Sequence, residues 1–209
     1  GFVGRHLVRL LAQRGWRVRV AVRRPDLAGH LQPLGIVGQV QSVQANVRNA
    51  ASVERAIAGA DAVINLVGIL SESGRQTFGA VQALGARTIA EAAAKAGIDN
   101  VIHLSAIGAD KNSVSDYSVS KAYGEEAVLA AVPSAFVLRC SVIFGPEDQF
   151  LNRFAAMARF SPAMPLIGGG ETKVQPVYVG DVAEAIAAAL DGRARPGATY
   201  ELGGPQAKS

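Results

Sequence analysis

Segments typical of strands and segments typical of helices alternate along the chain at short spacing. Parallel strands cannot be joined by a tight turn and need a crossover, usually a helix, so this alternation predicts βαβ units around a parallel sheet. The run Ala62–Val67 is apolar except for Asn65, which is typical of a strand buried on both faces. We therefore predict an α/β chain with a Rossmann-type, doubly wound parallel sheet. Its ligands should lie at the carboxyl ends of the strands.

The individual elements follow from apolar periodicity and from the residues that interrupt it. An amphipathic helix runs through Val3, Leu7 and Leu11 and ends at Gly15. Further helices are predicted at Ser52–Ala58, Phe78–Ala96, Asp116–Ala131 and Asp181–Leu190, with Asp181 as the N-cap of the last. Strands are predicted at Trp16–Val22, Val40–Ala45, Ala62–Val67, Val101–Ser105, Ala135–Cys140 and Thr199–Leu202.

The composition narrows the classes of function. The chain has 209 residues, of which 49% are hydrophobic and 18% charged, enough to bury one sizeable core. Its net charge of +4 is spread along the sequence, which does not favour a nucleic-acid partner. Cys140 is the single cysteine, which excludes an intramolecular disulfide and fits a reducing compartment. No apolar stretch is long enough to span a bilayer, and the scattered histidines predict no metal site.

Two glycines stand three positions apart where the first helix is predicted to begin, in Gly1-Phe2-Val3-Gly4. Glycines at a helix start let the backbone approach a pyrophosphate, which the positive end of the helix attracts. A glycine turn before an ordinary helix is an equally good interpretation of these four residues. Because the chain begins inside this motif and without Met, we expect the preceding strand to lie upstream of residue 1.

The strand that ends at Val22 is followed by Arg23 and Arg24. A site that prefers NAD normally carries Asp or Glu at this position to bind the ribose 2′-hydroxyl group. A guanidinium group instead suits the additional 2′-phosphate of NADP, and Asp26 comes too late in the turn to replace it. The pattern predicts NADP(H) in preference to NAD(H). Two solvated loop arginines are the alternative.

Two further strand ends carry residues that suit a bound nucleotide. Asn46 and Val47 follow one strand, where an amide side chain can both donate to and accept from an adenine edge. Leu66, Val67 and Gly68 follow Asn65 at the end of the next, and a glycine there lets a ligand approach the backbone. A turn asparagine and a strand-terminating glycine are the simpler interpretations.

The most specific signal is Tyr117-x-x-x-Lys121, twelve residues after Ser105 and at the start of a predicted helix. The spacing places Tyr117 and Lys121 on one helical face. A neighbouring ammonium group favours the phenolate, so we expect a lowered pKa for Tyr117 and proton exchange near neutral pH. Lys121 can also hydrogen-bond ribose hydroxyl groups. An amphipathic surface helix is the alternative.

The other ionisable residues are assigned structural positions. His103 lies inside a predicted strand, where we expect a core or edge residue rather than a ligand. The adjacent acids Glu125-Glu126 and Glu147-Asp148 are predicted to be solvated, since neighbours in sequence do not share a helical face.

Together these motifs resemble the extended and atypical branch of the short-chain dehydrogenase/reductase superfamily, the NAD(P)-dependent epimerase/dehydratase type. The resemblance covers nearly the whole chain and is carried by Gly1-x-x-Gly4, Asn65-x-x-Gly68, Tyr117-x-x-x-Lys121, Leu138–Pro146 and Val177–Ala183. More narrowly, the chain is similar to the dehydrogenase-like accessory subunit family of respiratory complex I and its bacterial relatives. This similarity lies in Asn65–Leu70, His103–Ala109, Phe144–Asp148 and Gln175–Val179.

The resemblance implies tightly bound NADPH, complex I subunits as partners and no assigned reaction. It adds Ser141 and Val142 to the cofactor-binding residues. It also implies a cytoplasmic or matrix-side location, with any contact to the inner membrane made through a partner. Two departures from active members affect turnover rather than cofactor binding: Ser105 is not followed by a further Ser or Thr, and Cys140 stands where a Pro is usual beside the nicotinamide.

Residues 1–144 are predicted to form the NAD(P)-binding domain, and residues 145–209 a partial substrate-covering region interleaved with the last sheet elements. Our first hypothesis is an NADP(H)-binding subunit or assembly factor in which the cofactor supports the structure. The second is an active reductase, dehydrogenase or epimerase, with Tyr117 as acid/base, Lys121 lowering its pKa and Ser105 polarising the carbonyl group. The third is a redox sensor that binds NADP(H) and a partner protein.

Overall fold

The computed structural model describes residues 1–148 and 173–207. Within these ranges every predicted helix and strand is present, most with shifted boundaries, and the predicted helix Phe78–Ala96 begins with a π-helical turn at Gly79–Ala83. The helices are α1 (Phe2–Gln13), α2 (Ala50–Ile57), α3 (Leu84–Lys95), α4 (Asp116–Ala131) and α5 (Val179–Leu190). The strands are β1 (Val18–Val22), β2 (Val40–Gln44), β3 (Val63–Asn65), β4 (Val101–Ala106), β5 (Phe136–Cys140), β6 (Ile143–Phe144), β7 (Val177–Tyr178) and β8 (Thr199–Leu202).

The described strands pair in parallel, as the alternation of elements predicts. β3, β4, β5 and β8 form a four-stranded sheet in that spatial order, while β1 pairs with β2 and β6 pairs with β7. The predicted Rossmann-type α/β class is confirmed. Parallel pairing brings the carboxyl ends of neighbouring strands to the same edge, where a ligand site is expected.

Helices pack on both faces of the four-stranded sheet. α1 and α5 cover one face, where Leu7, Ile102 and Ile186 belong to one buried cluster. α2, α3 and α4 cover the other, where Val101 and Val128 belong to a second cluster. Val101 and Ile102 contribute to different clusters because successive strand side chains point to opposite faces. Each buried aliphatic side chain contributes about 1.5–3 kcal/mol, so these two layers fix the positions of the strand ends.

Two helices, including the one that carries Tyr117 and Lys121, begin with a side-chain cap. The Ser115 side chain accepts from the Ser118 N–H at the start of α4, and Asn49 accepts from the Ser52 N–H at the start of α2. α5 differs from the prediction, because it begins at Val179 and its N-cap is Tyr178. The assignment of Asp181 as the N-cap was wrong. Its carboxylate lies in the first turn of α5, where it favours the positive end of the helix.

The predicted substrate-covering region of residues 145–209 is described only in part. Its described residues include β7, α5 and β8, the last of which completes the four-stranded sheet. Residues 149–172 and 208–209 lie outside the described ranges, so the assignment of this region stays a prediction. In the described ranges, no helix is both long and apolar enough to cross a membrane, and no group of acids, histidines and cysteine could hold a metal ion.

Candidate functional site

Several predicted site residues come from distant parts of the chain and lie at or just after the ends of strands, while Tyr117 and Lys121 lie in α4. Arg23 follows β1, Asn46 lies two residues after β2, Leu66 follows β3 and Ser141 follows β5. This is the edge at which a doubly wound sheet binds its ligands.

The start of α1 lies beside the end of β3. A Cβ atom added at Gly4 would lie 3.7 Å from Leu66 Cδ1, and one added at Gly1 would meet no atom within 4 Å. The first turn of α1 therefore lies close to the residue that follows β3, and a helix start is a position that attracts an anion. Phe2 packs edge-on against His6, and Val3 packs against the α1–α5 cluster. Their contact with a pyrophosphate stays a prediction.

The two arginines after β1 have different partners. Arg24 donates to both carboxylate oxygens of Asp26, with a shortest distance of 2.7 Å from Nη2 to Oδ2. This pairing raises the pKa of Arg24 and lowers that of Asp26. Arg23 Nη1 instead donates to Gln76 Oε1 at 2.6 Å. The positive charge of Arg24 is balanced by Asp26, whereas no acid in the described part of the chain pairs with Arg23.

Asn46 and Val47 both have structural roles at the end of β2. Asn46 Oδ1 accepts from the Arg48 N–H at 3.1 Å, which closes a short turn, and the Asn46 N–H donates to Ser52 Oγ at 2.7 Å. Val47 packs against α3, where a Cβ added at Gly85 would lie 2.9 Å from Val47 Cγ2. The turn interpretation of Asn46 is thus observed, and contact with an adenine stays a prediction.

Tyr117 and Lys121 lie on one face of α4, as their spacing predicts. Lys121 Nζ is 5.9 Å from the centroid of the Tyr117 ring and donates to the Leu104 carbonyl oxygen at 3.2 Å. The Tyr117 ring packs edge-on against Phe78, with 5.7 Å between centroids. Lys121 is therefore anchored to β4 while Tyr117 stands one turn nearer the helix start.

Burial controls the ionisation of this pair. It lowers the pKa of Lys121 to about 8, against opposing contributions from Cys140 and Glu125. It also raises the pKa of Tyr117, and Cys140 adds to that rise. The predicted lowering of the Tyr117 pKa was wrong for the protein alone, because both burial and Cys140 disfavour the phenolate. Burial likewise raises the pKa of the Cys140 thiol to about 12, so the thiol stays protonated near neutral pH.

Gln82 is a candidate site residue that the sequence analysis missed. It lies in the π-helical turn, is 2% exposed, and donates from Nε2 to Ser120 Oγ at 3.2 Å. Its Oε1 has no hydrogen-bond partner in the described part of the chain. A Cβ added at Gly68 would lie 3.5 Å from both Gln82 Oε1 and Lys121 Nζ. Gly68 therefore leaves space beside an acceptor and a donor, which fits a bound hydroxyl group such as that of a ribose. A polar residue within an apolar, Ala-rich helix was the available signal.

The hydroxyl group of Ser105 is bound to Glu125. Glu125 is 5% exposed, accepts from Ser105 Oγ, and accepts three hydrogen bonds from Arg139, at 3.0 and 3.2 Å from Nε and at 2.7 Å from Nη2. The prediction that Glu125 is solvated was wrong, because α4 turns this residue onto the sheet in line with Lys121. Its neighbour Glu126 is exposed as predicted and pairs with Lys111 at 2.7 Å.

The prediction that His103 is a core or edge residue is confirmed, and the prediction that Asp148 is solvated was wrong. His103 is a core residue, 1% exposed, and one ring nitrogen lies 3.0 Å from Asn65 Nδ2. Burial, with a smaller contribution from Lys121, lowers the pKa of His103 to about 3. Asp148 is buried rather than solvated, and Asp148 Oδ2 accepts from the Gly145 N–H at 3.3 Å. Glu147 is exposed, as predicted, and pairs with Arg5.

The segment after β5 connects the sheet to the β6–β7 pair. The Ser141 N–H donates to the Leu202 carbonyl, and the Val142 carbonyl accepts from the Val177 N–H, both at 2.9 Å. Both residues are partly buried. Their contact with a cofactor stays a prediction, as do the assigned roles of Val67 and Ser105.

Proteins of known function resemble this chain in sequence. It is 42% identical, over 98% of its length and 52% of the relative's, to the mitochondrial NADH dehydrogenase [ubiquinone] 1 alpha subcomplex subunit 9 of Arabidopsis thaliana. It is 38% identical to the ceramide reductase of Caulobacter vibrioides, over 90% of this chain and 57% of that protein. The chain thus spans about half the length of the curated relatives that it matches.

Solved structures agree with the fold. The UDP-glucuronic acid 4-epimerase of Bacillus cereus, crystallised with NAD and a fluorinated UDP-glucuronic acid, superposes with a TM-score of 0.84 at 20% identity. The match covers 100% of this chain and 76% of the epimerase. The model of the NAD dependent epimerase/dehydratase family matches residues 1–203. The chain therefore belongs to the NAD dependent epimerase/dehydratase family.

Proposed function

We propose that this protein binds NADP(H) and acts as a complex I accessory subunit or assembly factor in which the cofactor has a structural role. The observation that carries the cofactor choice is the end of β1, where Arg23 is available and Asp26 is paired with Arg24. No acid is therefore left in that turn to bind a ribose 2′-hydroxyl group. The similarity to complex I subunits supports the choice of partner.

In this proposal the cofactor lies along the carboxyl edge of the sheet. The residues assigned to the pyrophosphate are Gly1, Phe2, Val3 and Gly4, those assigned to the adenosine are Arg23, Arg24, Asn46 and Val47, and those assigned to the nicotinamide half are Leu66, Val67, Gly68, Ser105, Tyr117, Lys121, Ser141 and Val142. Gln82 joins the last group because its unpaired oxygen faces the space left by Gly68. The cofactor is a hydride donor or acceptor when bound.

A structural role for the cofactor follows from linkage between binding and folding. A ligand that binds only the folded state adds about 2.7 kcal/mol of stability at a concentration of 100 times its dissociation constant. We infer a location on the matrix side of the inner membrane, or its cytoplasmic equivalent, because the similar complex I subunits are named as mitochondrial. Isolation of complex I without this protein would contradict the subunit assignment.

The test of the cofactor choice is direct. The protein is purified without added nucleotide, and the nucleotide it retains is identified after denaturation, followed by calorimetric titration with NADPH and NADH. We expect NADPH to be retained and to bind at least about tenfold more tightly, a difference of about 1.4 kcal/mol. Replacing Arg23→Asp together with Arg24→Ser should weaken NADPH far more than NADH. Equal weakening would overturn the assignment.

A second candidate function is reduction of a carbonyl group, which the similarity to a ceramide reductase favours. Tyr117 and Lys121 are close enough to act together, with the tyrosine hydroxyl moving a proton to or from the substrate oxygen. Ser105 cannot polarise a carbonyl group without releasing Glu125. The assay is oxidation of NADPH by long-chain ketones and by quinones. Turnover that is lost in Tyr117→Phe supports this function, and turnover that survives rules out Tyr117 as its acid.

A further inference from the structure

Three arginine residues lie on or contact one loop beside the ends of β1 and β2. Arg23 Nη1 donates to Gln76 Oε1 at 2.6 Å, and Arg48 Nη1 donates to the Arg75 carbonyl oxygen at 2.9 Å. Two neighbouring strand ends thus contact neighbouring residues of one loop, which itself carries a third arginine. We call Arg23, Arg48 and Arg75 the guanidinium cluster.

No carboxylate balances this cluster. Within residues 1–148 and 173–207, no acid lies within 4.0 Å of a charged nitrogen of Arg23, Arg48 or Arg75. Glu72, the acid of the same loop, accepts from the Phe78 N–H at 2.6 Å. Arg23 and Arg48 are therefore held on one loop without an acid as partner in the described ranges, which favours the binding of an anion.

The loop that holds the cluster has a defined conformation. Ser73 and Gln76 exchange two main-chain hydrogen bonds, of 3.1 and 3.0 Å, around Gly74, whose φ of 54° lies in the left-handed region. The two arginine contacts then tie this tight turn to the ends of β1 and β2. The guanidinium groups of Arg23 and Arg48 are accordingly positioned by one rigid turn.

Arg24 makes an instructive contrast. It is adjacent to Arg23 in sequence, but its fork binds both oxygens of Asp26. The carboxylate of Asp26 offsets the charge of Arg24, so Arg24 attracts an anion less strongly than the unpaired Arg23. Sequence alone gives Arg23 and Arg24 the same role, and the contacts separate them.

We propose that Arg48, together with Arg23, binds the 2′-phosphate of NADP(H), and that Arg24 contributes less than either. This rests on the proposed function, since it assigns a phosphomonoester to the same site. Arg48 is the specificity-determining residue that sequence reasoning did not identify, because it lies after β2 rather than β1. Arg75 contributes a third positive charge from the loop.

The test compares NADPH and NADH dissociation constants for the wild type, Arg48→Gln and two control variants. Arg24→Gln removes the paired neighbour, and Arg87→Gln removes an exposed arginine from α3. We expect Arg48→Gln to weaken NADPH about tenfold, or 1.4 kcal/mol, and to leave NADH within about twofold. Arg87→Gln should leave both constants unchanged, and Arg24→Gln should weaken NADPH clearly less than Arg48→Gln does.

The source of the phosphate is tested separately with 2′,5′-ADP and inorganic phosphate. Competition by 2′,5′-ADP at a far lower concentration than phosphate, lost in Arg48→Gln, supports a nucleotide site. Equal competition by inorganic phosphate would mean a general anion site and would overturn the proposal. An equal loss of affinity for NADPH and for NADH in Arg48→Gln would also overturn it.

If the wild type binds NADH as tightly as NADPH, the proposed cofactor choice itself fails. If the wild type prefers NADPH and Arg48→Gln does not change that preference, only the role of Arg48 fails.

Discussion

The two halves of the candidate site are built in opposite ways. The outer half, formed by Arg23, Arg24 and Arg48 after β1 and β2, is exposed and carries full charges on long side chains. The inner half, centred on Lys121 and including Gln82, His103, Ser105 and Glu125, is almost completely buried. Exposed charges interact weakly with each other through water, whereas buried polar groups must be paired or change their ionisation.

Because of this difference, we expect substitutions in the outer half to change nucleotide affinity and substitutions in the inner half to change the stability of the fold. A substitution in the outer half changes which nucleotide binds and leaves the fold unaffected, because few contacts there are desolvated. A substitution in the inner half changes the packing of α4 on β4 and β5, because the same side chains that face the ligand also hold the helix. The comparison predicts effects that decrease from the inner half to the outer half.

The largest effect is expected for Glu125→Ala. It leaves Arg139 and Ser105 without their shared acceptor between α4 and the sheet. Breaking a buried ion pair by removing one partner costs about 3–5 kcal/mol, and since Arg139 is partly exposed we expect about 3 kcal/mol. Urea denaturation measures this loss.

The matched control for Glu125 is its neighbour. Glu126→Ala removes an exposed pair with Lys111 and should change the unfolding free energy by less than about 1 kcal/mol. Equal losses in the two variants would show that the inner half is no more sensitive than the surface.

The second effect is a loss of stability in acid that depends on His103. Its pKa is about 3 in the folded protein and 6.5 when unperturbed, so the unfolded chain takes up a proton first as the pH falls. Stability therefore decreases from about pH 6.5 downward, by on the order of 2 kcal/mol between pH 7 and pH 5. His103→Gln cannot titrate and should lose less over that range, whereas the exposed His30→Gln should follow the wild type. Parallel curves for the wild type and His103→Gln would contradict the assignment.

Gly68→Ala tests the space at the centre of the inner half. The added Cβ would lie 3.5 Å from Lys121 Nζ and from Gln82 Oε1, an ordinary contact distance, so the fold should tolerate it. A ligand that uses this space would lose it, and we expect NADPH and NADH to weaken together by about tenfold. Gly29→Ala, where the added atom meets nothing, is the control. Unchanged binding in Gly68→Ala would place the ligand elsewhere.

The sequence predicts the periodic features of this molecule well. The parallel sheet and the shared face of Tyr117 and Lys121 follow from spacing alone, because periodicity fixes which side chains share a surface. The burial of Glu125 follows from the same rule, since it is four residues beyond Lys121. We predicted a solvated acid because its partner, Arg139, lies on a strand that is distant in sequence.

Other features depend on contacts between distant residues and could not be predicted from the sequence. The sign of the Tyr117 pKa shift depends on how deeply the ring is buried, and burial is set by packing. Arg23 and Arg24 have different partners because Arg23 contacts Gln76, which lies in a loop whose position no local sequence pattern indicates. Gln82 became recognisable as a site residue only once its unpaired oxygen was seen beside Gly68.

The smallest effect is expected for Arg24→Gln in the outer half. The ion pair between Arg24 and Asp26 is fully solvent-exposed, so its attraction is screened and ordering two flexible side chains opposes it. We expect no measurable shift of the urea midpoint in Arg24→Gln, in Asp26→Asn or in the double variant. The double-variant cycle isolates the pair from other effects of each substitution. A clear coupling between the two residues would mean that the pair stabilises the 3₁₀ turn Pro25–Leu27, and the outer half would then contribute to the fold as the inner half does.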